Sequence, residues 1–265
     1  MMIVQENEWV AWRPRSDSAG SKIRLGSIGV SSIESARETD ALTEGQRMTV
    51  ETMRQSPMPG RTNDPEGTKR NIIDVATKEF ARRGLSGARI DEIAAKTKCS
   101  KRMIYYYFDS KEGLYLRVLE AAYSKVRAFE ASLELDDQPP AKALERLVRF
   151  TFDHHNNNED FIRLVMIENI HHAKYLAQSS RIQELNLGAI DAVRRLLERG
   201  VQAGIFRAGL DPVELHWKIS ALCFFNVSNR ATFSRIFKIN FDSKEALYSI
   251  RDGVVEMILR YVEKH

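Results

Sequence analysis

From Asn63 onward the apolar residues of this chain recur at intervals of three and four, and no alternating run persists. A spacing near 3.6 stacks side chains in one stripe along a helix, whereas a half-buried strand needs a period of two. The chain therefore reads as all-α. Asp64 or Thr68 caps a first helix whose face carries Ile72, Ile73, Val75, Ala76, Phe80 and Ala81, with Gly84 as its left-handed stop. Short helices follow near 90–96 and 100–106. Asp109-Ser110 then caps a long helix from Lys111 through Val126, and Pro139-Pro140 separates it from the next. Further helices are expected at 141–155, 159–178, 181–203, 213–233 (with Asp211-Pro212 as cap and first-turn proline) and 243–263. No internal repeat is visible.

Residues 1–62 lack either period and are rich in Ser, Thr, Gly, Arg and Glu. They read as a disordered extension or as sequence preceding the true start at Met48, Met53 or Met58, with Trp9 and Trp12 the one hint of a docking segment. Residues 63–110 then form one domain and 111–265 a second.

The net charge is +4, and its placement matters more than its size. Residues 64–111 hold 11 Lys/Arg against 7 Asp/Glu, while the segments on either side balance to zero. A local basic excess is the footprint of a nucleic-acid module, or simply a solvated face. Two cysteines, Cys99 and Cys223, form neither a disulfide framework nor a four-cysteine zinc site, which fits a reducing cytoplasm. The first residues lack a secretory h-region, and no apolar run is long enough for a membrane helix. A Gly-rich phosphate loop, a GxSxG elbow and a Cys–His pair at a known spacing are all missing, so no enzyme and no cofactor is expected.

Residues 89–107 have the arithmetic of a helix-turn-helix. Ile93 and Ala94 pack the first helix closely, Thr97-Lys98-Cys99 turns, and Ser100 caps a second helix that opens on Lys101, Arg102 and Met103 while Ile104 points inward. Such a helix fits the major groove with its N-terminal residues toward base edges. Tyr105, Tyr106 and Tyr107 add phenols within reach of phosphates and thymine methyls. An ordinary basic helical hairpin shows the same spacing.

The stretch Gly84-Leu85-Ser86-Gly87-Ala88-Arg89-Ile90-Asp91-Glu92-Ile93-Ala94, then Ser100, then Tyr105-Tyr106-Tyr107-Phe108-Asp109-Ser110-Lys111-Glu112 resembles the DNA-binding domain of the tetracycline-repressor (TetR) family. The resemblance spans about residues 66–120. It implies an all-α homodimer with an N-terminal three-helix helix-turn-helix domain and a C-terminal helical domain for ligand binding and dimerisation. It also implies a regulator, a repressor by default, that leaves pseudo-palindromic operator DNA when a small effector binds. By this resemblance Arg89, Ser100, Lys101, Arg102, Met103, Tyr105, Tyr106 and Lys111 face DNA. Two departures stand out: Lys98 replaces a glycine at a left-handed turn position, and Met103 replaces a common threonine. The C-terminal half, with Glu168-Asn169 and Asn226-Val227-Ser228-Asn229-Arg230, resembles members governing aromatic-acid catabolism such as nicotinate degradation. A different class, a non-specific architectural DNA protein without effector, would spread its basic charge over the whole surface.

For the effector, Phe161, Leu164, Val165 and Glu168 share a helix face, with Trp217, Phe224 and Phe225 opposite; His172 or Arg163 is the expected partner of a carboxylate. A plain core would show the same aromatic stripe. Glu168 and His172 at i,i+4 also have a two-ligand metal spacing, and His154-His155 and His171-His172 are paired, but no motif supports a metal and none is assigned. The last two helices carry Ile219, Leu222, Cys223 and Asn226 on one face and Leu247, Ile250, Val254, Met257, Ile258 and Tyr261 on the other. These are candidates for a symmetric four-helix interface or for packing within the monomer. Cys99 reads as a buried turn residue or a thiolate sensor.

Overall fold

The computed structural model describes residues 64–264; the expectations for residues 1–62 lie outside them. Among the described residues are ten α-helices, two 3-10 turns and a single isolated bridge between Phe206 and Glu263. The all-α expectation holds.

Helix α1 (Pro65–Gly87) begins where Asp64 accepts the Gly67 N–H at 2.8 Å and Pro65 fills the first turn. Its regular part stops at Gly84, with φ 68°. A short α2 (Ile90–Thr97) and α3 (Lys101–Phe108) follow. Lys98, between them, has φ 54° and ψ 27°, so the lysine that stands in place of glycine holds the left-handed conformation itself. Ser100 caps α3 by accepting the Met103 N–H, and Ser110 caps α4 (Lys111–Ala131) by accepting the Gly113 N–H. The core of this unit joins Ile72, Phe80, Ile93, Ile104 and Phe108 to Leu114, Tyr115, Val118 and Leu119 of α4. The division at residue 110 therefore follows the start of α4 and not a gap in packing.

Helices α5 (Pro140–Asn157), α7 (Ser180–Gln202), α8 (Pro212–Ser228) and α10 (Lys244–Val262) build a second core around Leu144, Leu147, Phe152, Leu196, Leu215 and Ile258. Helix α6 (Glu159–Ile170) lies against both α1 and α8, and sends Leu164 into the N-terminal core. The molecule is thus stitched by α4, α6 and α7, each of which touches more than one layer.

Two helices differ from expectation. The helix expected over 159–178 ends at Ile170, because the chain turns back through His172 (φ 54°) and Ala173 (φ 56°). The buried Glu168 carboxylate accepts the Leu176 N–H at 2.9 Å and holds this turn. The helix expected over 213–233 breaks at Ser228-Asn229, and α9 (Arg230–Phe237) is separate. There the Asn229 amide donates to the Ser228 hydroxyl, and the Asn229 carbonyl accepts the Thr232 hydroxyl. Such local side-chain bonds compete with the helical ladder.

Candidate functional site

The surface of α2 and α3 is built so that the apolar half is spent on packing and the polar half faces out. Ile104 and Phe108 are buried, whereas Lys101, Arg102, Met103, Tyr105 and Tyr106 are exposed, Tyr106 by 77%. Arg89 is also exposed, at the N-cap position of α2, where its backbone is extended and its side chain makes no cap. Lys101 pairs with Asp91 at 2.9 Å, and that carboxylate holds the ammonium above the ordinary lysine value. The Lys111 ammonium, half-buried at the start of α4, donates to the Ser86 carbonyl at 3.2 Å and ties α4 to the last turn of α1. Beneath this face the buried Glu79 of α1 pairs with Lys96 at 2.9 Å and Arg83 at 3.1 Å. The bond from Lys96, chiefly, holds the Glu79 carboxyl below its usual range. Of the eight residues expected at DNA, seven are exposed and Lys111 is half-buried, on α3 and at the starts of α2 and α4.

A cavity of about 510 Å³ lies between α4, α5, α6 and α8. Phe161, Val165, Trp217 and Phe224 line it, as expected. Glu168 and His172 do not. Glu168 is turned away to the Leu176 amide beside Tyr115, and the end of α6 at Ile170 carries His172 off the helix face into an exposed turn. The same break removes the i,i+4 relation behind the two-ligand metal spacing. Arg163 pairs with Glu159 on the exposed side of α6, and Phe225 packs on Phe233 at 5.2 Å, outside this cavity.

The polar lining comes instead from residues that no stripe on α6 indicated. Arg127 and Glu130 of α4 pair with each other; His154 and His155 of α5 and His216 of α8 face the same space. The Phe161 ring meets the His154, His155 and Tyr123 rings edge-on at 5.8, 6.0 and 5.3 Å. Burial drives all three histidines down to about 4, helped by Lys125 and Arg127 for His154, by His154 for His155 and by Arg127 for His216. The imidazoles are therefore neutral near pH 7. The paired His154-His155 was visible in the sequence; its position at a cavity was not. A second cavity, about 880 Å³, opens between α4 and α7, and Arg127 and Glu130 line it as well.

The comparisons with known proteins agree with this architecture. Residues 72–118 match the model of bacterial regulatory proteins of the tetR family, and residues 140–258 match that of the tetracyclin repressor-like C-terminal domain. The chain is 34% identical over 200 residues to the HTH-type transcriptional repressor NicS of Pseudomonas putida, covering 76% of this chain and 94% of that one. The chain belongs to the TetR family. Its members' helix-turn-helix makes it a DNA-binding transcription regulator. A second relative, the repressor SCO4008 of Streptomyces coelicolor, is 35% identical over 52% of this chain and 69% of its own length. Among solved structures, the putative regulator SCO4942 of Streptomyces coelicolor superposes with a TM-score of 0.56 at 25% identity, over 74% of this chain and 98% of that one. The fold is shared also with FadR of Bacillus subtilis, solved in complex with stearoyl-CoA (TM-score 0.57, 18% identity, 73% and 99% covered).

As a TetR-family chain it has a third surface of interest. Ile219, Cys223, Val254 and Ile258, read as candidate dimer residues, are buried in the chain's own core. Among the exposed apolar residues of α8, α9 and α10 are Phe225, Phe233, Ile236, Tyr248 and Met257. No helix among the described residues is long and apolar enough to cross a membrane.

Proposed function

We propose that this regulator binds pseudo-palindromic operator DNA as a homodimer and is released by a small aromatic acid held in the cavity of α4, α5, α6 and α8. The observation that carries the reading is the continuity of α4. Lys111 at its start borders the DNA-facing surface, while Tyr123, Arg127 and Glu130 further along line the cavity. A ligand that moves the far end of α4 tilts the helix on which α3 is packed, and so changes the separation of two recognition helices in a dimer.

On DNA, Arg102 and Met103 meet base edges, Ser100, Lys101, Tyr105 and Tyr106 support the backbone contacts, and Arg89 and Lys111 meet phosphates on either side. In the cavity, aromatic walls of Phe161, Trp217 and Phe224 enclose the ring and Arg127 meets the carboxylate. The effector lowers DNA affinity only if it binds the DNA-incompetent state more tightly, by about 1–3 kcal/mol of coupling. Calorimetry with a panel of aromatic acids, with and without operator, tests this. Tighter binding to free protein than to the DNA complex supports it; equal affinity for both means that the compound is not the inducer.

A further inference from the structure

Arg127 and Glu130 are the charged side chains that line the α4–α8 cavity, and they neutralise each other. Both are largely buried, with 14% and 8% of the side chain exposed. The Arg127 Nε and the Nδ1 atoms of His154 and His155 are buried without hydrogen-bond partners. An organic anion entering this space therefore adds an unbalanced charge in a region of low dielectric, where uncompensated charge is strongly disfavoured. The site holds its own remedy, because two adjacent neutral imidazoles stand beside the guanidinium.

We infer that the cavity takes a monoanionic carboxylate together with one proton, the carboxylate on Arg127 and the proton on the His154–His155 pair. The inference rests on the reading of this cavity as the effector site. The two rings lie 5.9 Å apart and share Phe161 as a neighbour, so a proton on one ring repels a second on the other and the pair takes one. The His154 Nδ1 is free to donate toward a carboxylate once protonated, while the His155 ring also interacts with the Thr151 backbone one turn before it.

The surrounding charges set the direction. From α4, Lys125 and Arg127 repel an imidazolium, Glu130 is engaged by Arg127, and Tyr123 stays neutral because burial raises its phenol. On α5 itself, Asp153 is turned to Arg251 of α10 at 3.0 Å. His216 of α8 is neutral for the same reason of burial, α6 and α7 contribute the uncharged Asn169 and Asn186, and on its other side His154 shares a third cavity with Glu159 and Asp160 of α6 and Asp74 and Lys78 of α1. Without ligand, the pair is held neutral, near pKa 4. A bound carboxylate offsets Arg127 and attracts the imidazolium, so the pair's proton affinity rises on binding. The competing route is a swing of Glu130 into the second cavity behind α4, which needs no proton.

The full chain is titrated calorimetrically with benzoate and 2-naphthoate, and with benzamide and 2-naphthamide as neutral matches, at pH 6 in buffers of different ionisation enthalpy. Expected is uptake approaching one proton with the acids and none with the amides. The acid Kd should weaken by up to tenfold per pH unit between the pKa of the free pair and the higher pKa of the complex, and level off above it, while the amide Kd stays level. His154→Gln/His155→Gln should abolish the uptake and flatten the acid Kd against pH; the wild-type Kd against pH gives the answer even if that variant fails to fold. Acids that bind with no proton uptake and a flat pH profile overturn the inference and leave the effector site standing. If none of the four binds, the aromatic-acid reading fails and the inference with it.

Discussion

Lys98 holds a left-handed backbone at φ 54° in the turn between α2 and α3, where an L side chain crowds the neighbouring carbonyl. It is exposed and makes no hydrogen bond through its side chain that would repay the strain. Lys98→Gly should therefore raise stability by about 0.5–1 kcal/mol, the relief of strain being partly offset by greater chain entropy in the unfolded state. Thermal unfolding checks this; a lower midpoint contradicts it. The buried histidines make a second residue-scale expectation. In the unfolded chain they titrate near 6.5, and in the fold His154, His155 and His216 do so near 4. Between these values the unfolded state binds more protons, so stability is held above pH 6.5 and lost as pH falls toward 4. Each histidine contributes a slope of at most about 1.4 kcal/mol per pH unit. Unfolding at pH 7 and pH 5 should show the loss, reduced in His155→Gln; a pH-independent midpoint would mean that the imidazoles are not buried neutral.

At the scale of elements, the proposed function makes α3 the piece that carries specificity. Arg102→Ala should reduce specific binding by about 1–3 kcal/mol, as for a side chain reading a base edge. Lys111→Ala should weaken specific and non-specific DNA alike and flatten the salt slope by about one unit. Filter-binding titrations over a salt series separate the two, and wild-type behaviour in both variants would remove α3 and α4 from the DNA. Several helix starts were legible in the sequence because capping is local: Asp64, Ser100, Ser110 and Asp211 each accept an N–H three residues on. The end of α6 was not, since it depends on the Glu168 carboxylate folding back to an amide eight residues away. The cavity was half legible for a similar reason. Its aromatic walls on α6 and α8 follow from helical spacing, but Arg127, Glu130 and the histidines reach it from α4, α5 and α8 only once those helices are packed together.

For the whole molecule, the basic excess of residues 64–111 beside a neutral remainder suits a protein that uses one end for DNA and the other for assembly and sensing. Phe225 and Met257 are about half exposed, so a charge at either costs the monomer fold little. Phe225→Asp or Met257→Asp should shift a sedimenting dimer toward monomer at micromolar concentration; an unaltered dimer in both places the interface elsewhere. Loss of the dimer should carry loss of operator affinity, since each half-site contact is then made alone. The central claim concerns a dimer reading DNA through α3, and hydroxyl-radical footprinting on a fragment selected from genomic DNA by the purified protein tests it most directly. The account predicts two protected half-sites related by a dyad, their centres one helical turn, roughly 34–36 Å, apart, both lost in Arg102→Ala. Uniform protection without a dyad, or a footprint unchanged in that variant, would contradict it.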